Sequence, residues 1–257
     1  MSDPAQLSIQ AMRRATDELV ARVRTWDEER LRAPSACSEW TVAQVLSHLG
    51  SGAEIGLHTL TTGKADPEAA PAVWARWDAM SPVEQAAACL DAGERLVEAF
   101  ESQDEEARLH RTIDVGYLPL PVDIALVADL RLSELALHGW DVDVPFDPDA
   151  VVAPYLVPFV LGRLPLFAGF FAQPIGTAAR VAVTTADPDR TYLFDLGTEG
   201  ATLTEEVPSE TTASLALPGE AFVRLTSGRL GPEHTPAGVS ATGDLTLGDF
   251  RRIFPGY

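Results

Sequence analysis

Residues 121–142 read PVDIALVADLRLSELALHGWDV, and they predict a helix that is buried on most of its sides. Apolar side chains fall almost all round this helix, a distribution typical of a helix enclosed by its neighbours. Four polar residues nevertheless share an arc of about 80° on a helical projection, and they are Arg131, Glu134, His138 and Asp141. Because an unpaired buried carboxylate is costly, Glu134 must meet a cation, a proton or a metal ion.

Two interpretations of this polar stripe remain open on the helix alone. In the first, Glu134 and His138, which are one helical turn apart, present two metal ligands on one face. In the second, the stripe is an internal salt-bridge network, in which Arg131 pairs with Glu134 or Asp141 and His138 is hydrogen-bonded. The pattern of residues 121–142 favours neither.

A second helix supplies a third candidate ligand. It is predicted to open at Thr41, which forms a T-x-x-Q capping box with Gln44. His48 lies at the edge of the apolar stripe of this helix, where a histidine is more often a packing residue than a ligand. If His48 joins Glu134 and His138, the three side chains form a ligand set with an open position.

Such a set is typical of catalytic rather than structural zinc. Nitrogen and oxygen ligands also admit nickel, cobalt or iron, so the identity of the metal stays open. Asp141 and Arg131 would then lie behind the ligands and orient them.

The spacing of a glutamate four residues before a histidine is not specific by itself, because it recurs twice. Glu54 and His58 project away from the apolar stripe of their helix, and Glu106 and His110 lie in a charged segment. Both pairs are predicted to be exposed.

Two domains are expected, because the helical pattern gives way after Gly169 to short segments that are rich in Val, Thr, Leu and Phe and separated by turn residues. A helical bundle is predicted over residues 1–168, from helices at 5–30, 41–60, 81–102, 121–142 and 147–164. Residues 178–257 predict a small α+β domain, from strands at 180–185, 191–196, 201–207, 213–217 and 238–243 and helices at 219–229 and 246–254.

Composition excludes several partners. The 257 residues carry a formal charge of −19, which disfavours binding to nucleic acid or to anionic membranes. No signal peptide and no apolar run long enough to span a membrane is expected. Cys37 and Cys89 lack metal-type spacing, and they predict free thiols in a reducing cytoplasm, with Cys37 in a loop.

Three segments carry a resemblance to a known family. They are Cys37–Leu49 (CSEWTVAQVLSHL), Glu134–Asp141 (ELALHGWD) and Phe222–Leu230 (FVRLTSGRL). Together they resemble the mycothiol-dependent maleylpyruvate isomerase family, which belongs to the wider DinB-like metalloproteins. The resemblance implies a DinB-like four-helix bundle followed by a small domain similar to sterol carrier proteins.

The resemblance also implies an active site. His48, Glu134 and His138 match the family's metal ligands, and mycothiol, a low-molecular-weight thiol of actinobacteria, is its cofactor. A metal-stabilised thiolate would add to an activated double bond, and rotation followed by expulsion would isomerise the substrate. Arg224, with Arg229 behind it, is the candidate for holding a substrate carboxylate, although a solvated helix face is an equal alternative for both.

Three functions therefore stand side by side. The first is a metal- and thiol-dependent enzyme, an isomerase or S-transferase acting on a small electrophilic, carboxylated substrate. The second is a thiol-independent metallohydrolase that uses the same ligands. The third is a non-enzymatic protein in which an apolar groove of the second domain binds a small ligand and the bundle is a scaffold.

Overall fold

The computed structural model describes residues 3–37, 39–206 and 210–256. The chain forms two compact units, Met1–Ala150 and Val151–Tyr257. The predicted organisation, a helical bundle followed by a small α+β domain, is confirmed. Among the described residues, no helix combines the length and the apolar composition that crossing a membrane requires.

The first unit is helical apart from a short two-stranded pairing of β1 (Thr112–Ile113) with β2 (Val122–Asp123). Its helices are α1 (Pro4–Val23), α2 (Glu28–Arg32), α3 (Val42–Thr62), α4 (Ala70–Asp78), α5 (Pro82–Glu101), α6 (Glu105–His110) and α7 (Ile124–Asp143). The four long helices form the bundle, because α1 packs against α5 and α7, and α3 packs against the same two helices.

Side-chain caps set where these helices begin. Both bonds of the predicted capping box are present, with 3.3 Å from the Gln44 amide to the Thr41 hydroxyl and 2.8 Å from the Thr41 amide to the Gln44 side chain. A second box at Ser81 and Glu84 starts α5. Helix α7 starts at Ile124 rather than at Pro121, because the Asp123 carboxylate accepts the Leu126 amide at 2.8 Å.

Some predicted helices have different bounds. The segment predicted as one helix at 5–30 divides into α1 and α2, since Asp27 caps a new helix. Helices α4 and α6 were not predicted. The N-cap residue of α4, Ala69, makes no side-chain capping bond, and α6 has no buried residue and hence no apolar stripe.

The second unit is built on a five-stranded sheet of order β5-β4-β3-β6-β7. Its strands are β3 (Ala179–Ala186), β4 (Arg190–Leu196), β5 (Ala201–Thr204), β6 (Ala213–Pro218) and β7 (Ser240–Gly243). Strands β3 and β6 are parallel, and the other neighbours are antiparallel. The predicted strand at 201–207 ends at Thr204, and Val207 lies outside the described residues.

Three α-helices and a short 3-10 helix (Pro232–His234) complete the second unit. The α-helices are α8 (Val157–Phe171), α9 (Gly219–Thr226) and α10 (Leu247–Ile253). Most of α8 was predicted to belong to the bundle, but α8 packs against β5 and α9. The division therefore falls after Ala150 rather than near residues 168–178. The apolar surface of α8 fits either a bundle or a sheet, so its sequence alone gave no reason to choose.

Candidate metal centre

Three predicted ligands meet between two helices of the bundle. His48 comes from α3, and Glu134 and His138 come from successive turns of α7. Glu134 Oε2 lies 2.9 Å from His48 Nε2 and 3.5 Å from His138 Nε2. The three ligand atoms all lie within 4.8 Å of one another.

The packing of α3 explains the position of His48. The residues Val42, Val45, Leu46 and Leu49 are completely buried, which fixes the rotation of the helix about its axis. His48 lies beside this face, with its ring centroid 5.4 Å from that of Trp40 and 4.8 Å from that of His138.

Asp141 and Cys37 lie behind His138. The Asp141 carboxylate is 2.8 Å from His138 Nδ1 and also accepts the Cys37 thiol at 3.0 Å. A carboxylate on Nδ1 keeps a proton on that nitrogen, so Nε2 is the atom that binds a cation once it has lost its own proton. Asp141 thus contacts the ring of His138, and its role behind a bound metal ion stays a prediction.

The contact of Cys37 with this cluster was not predicted. Cys37 does lie in a loop, but its sulfur is 3.7 Å from His138 Nδ1. The Ala36 amide donates to the Asp141 carbonyl at 2.9 Å, which holds the loop against the end of α7. Sequence reasoning missed this contact because the two segments are about a hundred residues apart and no spacing motif links them. Cys37, His138 and Asp141 form a second group with metal-ligand geometry.

Electrostatics couple Glu134 to the two histidines. Burial raises the pKa of Glu134, but hydrogen bonds from His138 and His48 outweigh it and hold the pKa well below its usual value. For His138, burial lowers the pKa, whereas Asp141, Cys37 and Glu134 together raise it well above its usual value. In the metal-free protein, Glu134 and His138 therefore form an ionised pair.

Two of the three ligand separations match those around a divalent cation, and the third pair of ligand atoms lies within 4.8 Å. Metal–ligand bonds of roughly 2.0–2.2 Å in a tetrahedral site separate ligand atoms by about 3.3 Å, close to the 2.9 Å and 3.5 Å found here. The side chains of His48 and Glu134 are 39% and 46% exposed, and that of His138 is 12% exposed. A bound cation would thus keep a face open to a further ligand.

The alternative salt-bridge network is not present. Within the described part of the chain, Arg131 forms no hydrogen bond and no ion pair with Glu134, Asp141 or any other residue. Burial lowers the pKa of its guanidinium, which is therefore closely surrounded by protein. Arg131 does not orient a ligand through a direct contact in this structure.

Arg224, the predicted carboxylate-binding residue, is buried and hydrogen-bonded within the second unit. It is on α9 with a side chain only 3% exposed, so the solvated helix face is wrong. Its guanidinium donates to both Glu220 oxygens, at 2.7 and 2.8 Å, and to the His234 carbonyl at 2.7 Å. Arg229 donates to the Ser227 carbonyl at 3.0 Å. The role of Arg224 toward a substrate stays a prediction.

The remaining glutamate–histidine pairs contribute no ligand set. Glu106 and His110 have side chains 83% and 67% exposed, as expected. His58 is also exposed. Glu54, however, is not simply solvated, because Trp77 Nε1 of α4 donates to it at 3.0 Å and Arg76 forms an ion pair with it. The prediction for Glu54 failed because α4 was not foreseen.

Comparisons with known proteins agree with this architecture. A crystal structure of the mycothiol-dependent maleylpyruvate isomerase is similar over 95% of both chains, with a TM-score of 0.66 and 15% identity. A histidine-to-alanine variant of that enzyme matches over the same shares with a TM-score of 0.66 and 14% identity. At these identities the likeness establishes the fold. No curated protein sequence matches the chain.

The family assignment comes from the first unit. A family model described as the mycothiol maleylpyruvate isomerase N-terminal domain matches residues 12–143, just over half of the chain. The match spans α3 and α7 and therefore includes all three predicted ligands. The resemblance seen in the sequence is thus confirmed, and the chain belongs to the mycothiol maleylpyruvate isomerase N-terminal domain family.

Proposed function

We propose that this protein is a metal- and thiol-dependent enzyme that isomerises, or transfers a thiol to, a small electrophilic substrate bearing a carboxylate. The observation that carries the proposal is the convergence of His48, Glu134 and His138, whose ligand atoms lie within 4.8 Å of one another. Membership of the mycothiol maleylpyruvate isomerase N-terminal domain family supports mycothiol as the thiol.

Different residues of the chain would bind the cation and orient its ligands. His48, Glu134 and His138 would hold the cation, with zinc favoured by two imidazoles and one carboxylate and an open position. When bound, such a cation supplies the positive charge that keeps a coordinated thiol ionised at neutral pH. Asp141 would fix the Nδ1 proton of His138 and so orient its ring.

Elemental analysis of the purified protein tests the metal site. We expect about one divalent ion per chain, and its loss in His48→Ala and in Glu134→Ala, because each variant removes a ligand. His58→Ala is the matched control, since His58 lies on the same helix but is exposed. A metal-free wild-type protein, or metal retained by both ligand variants, would overturn the proposal.

The cobalt-substituted protein tests the thiol. We expect titration with mycothiol to change the visible spectrum, because a thiolate would enter the open coordination position. Turnover of substrates without any thiol would instead favour a metallohydrolase. A cytoplasmic location belongs to the same proposal, since low-molecular-weight thiols stay reduced there.

A further inference from the structure

Arg131 presents a cation without a partner, one helical turn before Glu134 on α7. Within the described residues, it has neither a hydrogen bond nor an ion pair. Proteins rarely leave a charge enclosed without pairing it, because desolvation is costly. Burial lowers the pKa of this guanidinium, yet part of the residue remains accessible to solvent. The residue is therefore largely enclosed but keeps some accessible surface through which a ligand could reach it.

Among the described residues, no neighbouring anion forms an ion pair or a hydrogen bond with Arg131. On α3, Gly52 lies beside the guanidinium, since a Cβ built on this glycine would lie 3.8 Å from Arg131 Nη1. On α5, the neighbour is Cys89, and burial raises the pKa of that thiol to about 12, so it remains neutral. On α7, Glu134 attracts Arg131 only at longer range, and the two histidines bind its carboxylate directly.

Arg131 and the predicted ligands lie along the same interface of the bundle, between α3 and α7. His48 on α3 faces Glu134 and His138 on α7, and Gly52, one turn later on α3, faces Arg131, one turn earlier on α7. The two helices are therefore antiparallel. Along the axis of α7, Arg131 lies about 4.5 Å from Glu134 and about 10.5 Å from His138. Gly52 is exposed and has no side chain, so no side chain at this position covers the guanidinium.

We propose that Arg131 binds a carboxylate of the molecule that occupies the metal centre, and so selects anionic ligands. This inference rests on the proposed function, because it places the ligand at the centre formed by His48, Glu134 and His138. A guanidinium fork matches a carboxylate with two parallel hydrogen bonds. A molecule that reaches across one helical turn could meet the centre with one end and Arg131 with the other.

Two thiols that differ only in charge test the selectivity. The cobalt-loaded protein is titrated with 3-mercaptopropionate and with its neutral counterpart 3-mercaptopropionamide, and the visible spectrum is followed. We expect wild type to bind the carboxylate at least about tenfold more tightly, since a charge-assisted hydrogen bond contributes that much. Arg131→Gln should lose this preference and keep its cobalt, whereas Arg14→Gln, which removes an exposed arginine of α1, should retain the preference.

Variants separate this role from a structural one. Because Arg131 has no partner to lose, Arg131→Gln should unfold at the same temperature as wild type or higher. Gly52→Asp should supply an internal carboxylate to Arg131, and it should abolish the preference while leaving the metal content unchanged. A lower unfolding temperature in Arg131→Gln, together with an unchanged preference, would overturn the proposal.

A second experiment, on the metal-free protein, tests the carboxylate site independently of the proposed function. Succinate and succinamide are compared on the metal-free protein by saturation-transfer NMR, and succinate should bind about tenfold more weakly to Arg131→Gln than to wild type. If wild type holds no metal but shows this difference, the proposed function fails and the carboxylate site stands. If neither experiment depends on Arg131, the carboxylate site is disproved.

Discussion

The charge state of His138 links the predicted metal site to pH. In the metal-free protein, burial opposes the protonated ring, but Asp141, Cys37 and Glu134 raise the pKa of His138 well above its ordinary value of 6.5. A cation needs the unprotonated Nε2, so it must displace the proton that this setting favours. At the level of single residues, metal binding and proton release are therefore coupled.

The stability of the metal-free protein should fall as pH rises. His138 has a raised pKa in the folded state, so its contribution is complete below about pH 6.5 and is lost as pH passes through the raised value. Glu134 has a depressed pKa, so its contribution is present above about pH 4.5 and is lost only in strong acid. Urea unfolding between pH 6 and pH 9 measures the decline.

His138→Asn is the control for this prediction, and its stability should depend less on pH over the same range. Metal binding to wild type should release a proton near pH 7, which calorimetry detects in buffers with different heats of ionisation. A metal affinity that does not rise with pH would show that His138 is not protonated in the metal-free state.

At the level of the element, close packing around α3 requires a glycine at position 50 but not at position 56. A Cβ built on Gly50 would overlap the ring of Trp77 and lie 2.9 Å from the Cys89 Cα, whereas one built on Gly56 would meet Leu96 at an ordinary 3.6 Å. Three glycines weaken the helical propensity of α3, but Gly50 allows α4 and α5 to approach the helix that carries His48.

Alanine substitutions should separate the two glycines. Gly50→Ala should destabilise the protein by about 1–3 kcal/mol, because overpacking exceeds the gain in helix propensity. Gly56→Ala should stabilise it by up to about 1 kcal/mol, because propensity improves without a clash. Chemical denaturation of the two variants measures both. Equal effects would contradict the close packing of Trp77 on α3.

Some elements could be predicted because their signals are local. The capping boxes at Thr41 and Ser81 fix the starts of α3 and α5, and the apolar pattern of residues 121–142 predicts α7. Helix α4 has no capping side chain, and it went unpredicted together with the partners it brings to Glu54.

The residues of the candidate site also differ in whether the local sequence could predict that they lie together. Glu134, His138 and Asp141 share one helix, so helical geometry alone places them together. His48 and Cys37 reach them only through tertiary contacts, and the resemblance to a family supplied the first but not the second. The missing partner of Arg131 could not be read from the sequence, because the neighbouring charges on α7 suggested a salt bridge.

At the level of the whole molecule, all three predicted ligands belong to the unit Met1–Ala150. A cation that binds only the folded state stabilises it by about 2.7 kcal/mol at a hundredfold excess over its dissociation constant. The ligands join α3 to α7, so slower opening of these two helices should accompany binding.

Hydrogen exchange followed by mass spectrometry tests this expectation on the intact chain. Adding zinc to the metal-free protein should raise amide protection most in α3 and α7, and the thermal unfolding temperature should rise with zinc concentration. His48→Ala should show neither effect, whereas His58→Ala should behave as wild type. Protection that rises mainly in β3–β7 would place the ion outside the bundle.

The loop that contains Cys37 bears on the direction from which a molecule can reach the candidate metal centre. Through the Ala36 amide and the Cys37 thiol it covers the side of His138 that faces Asp141, whereas His48 and Glu134 retain 39% and 46% of their side-chain surface. An incoming molecule can therefore reach the centre from the side on which His48 and Glu134 are exposed. A planar substrate held there would present a single face to its attacker, and any new stereocentre would form with one handedness.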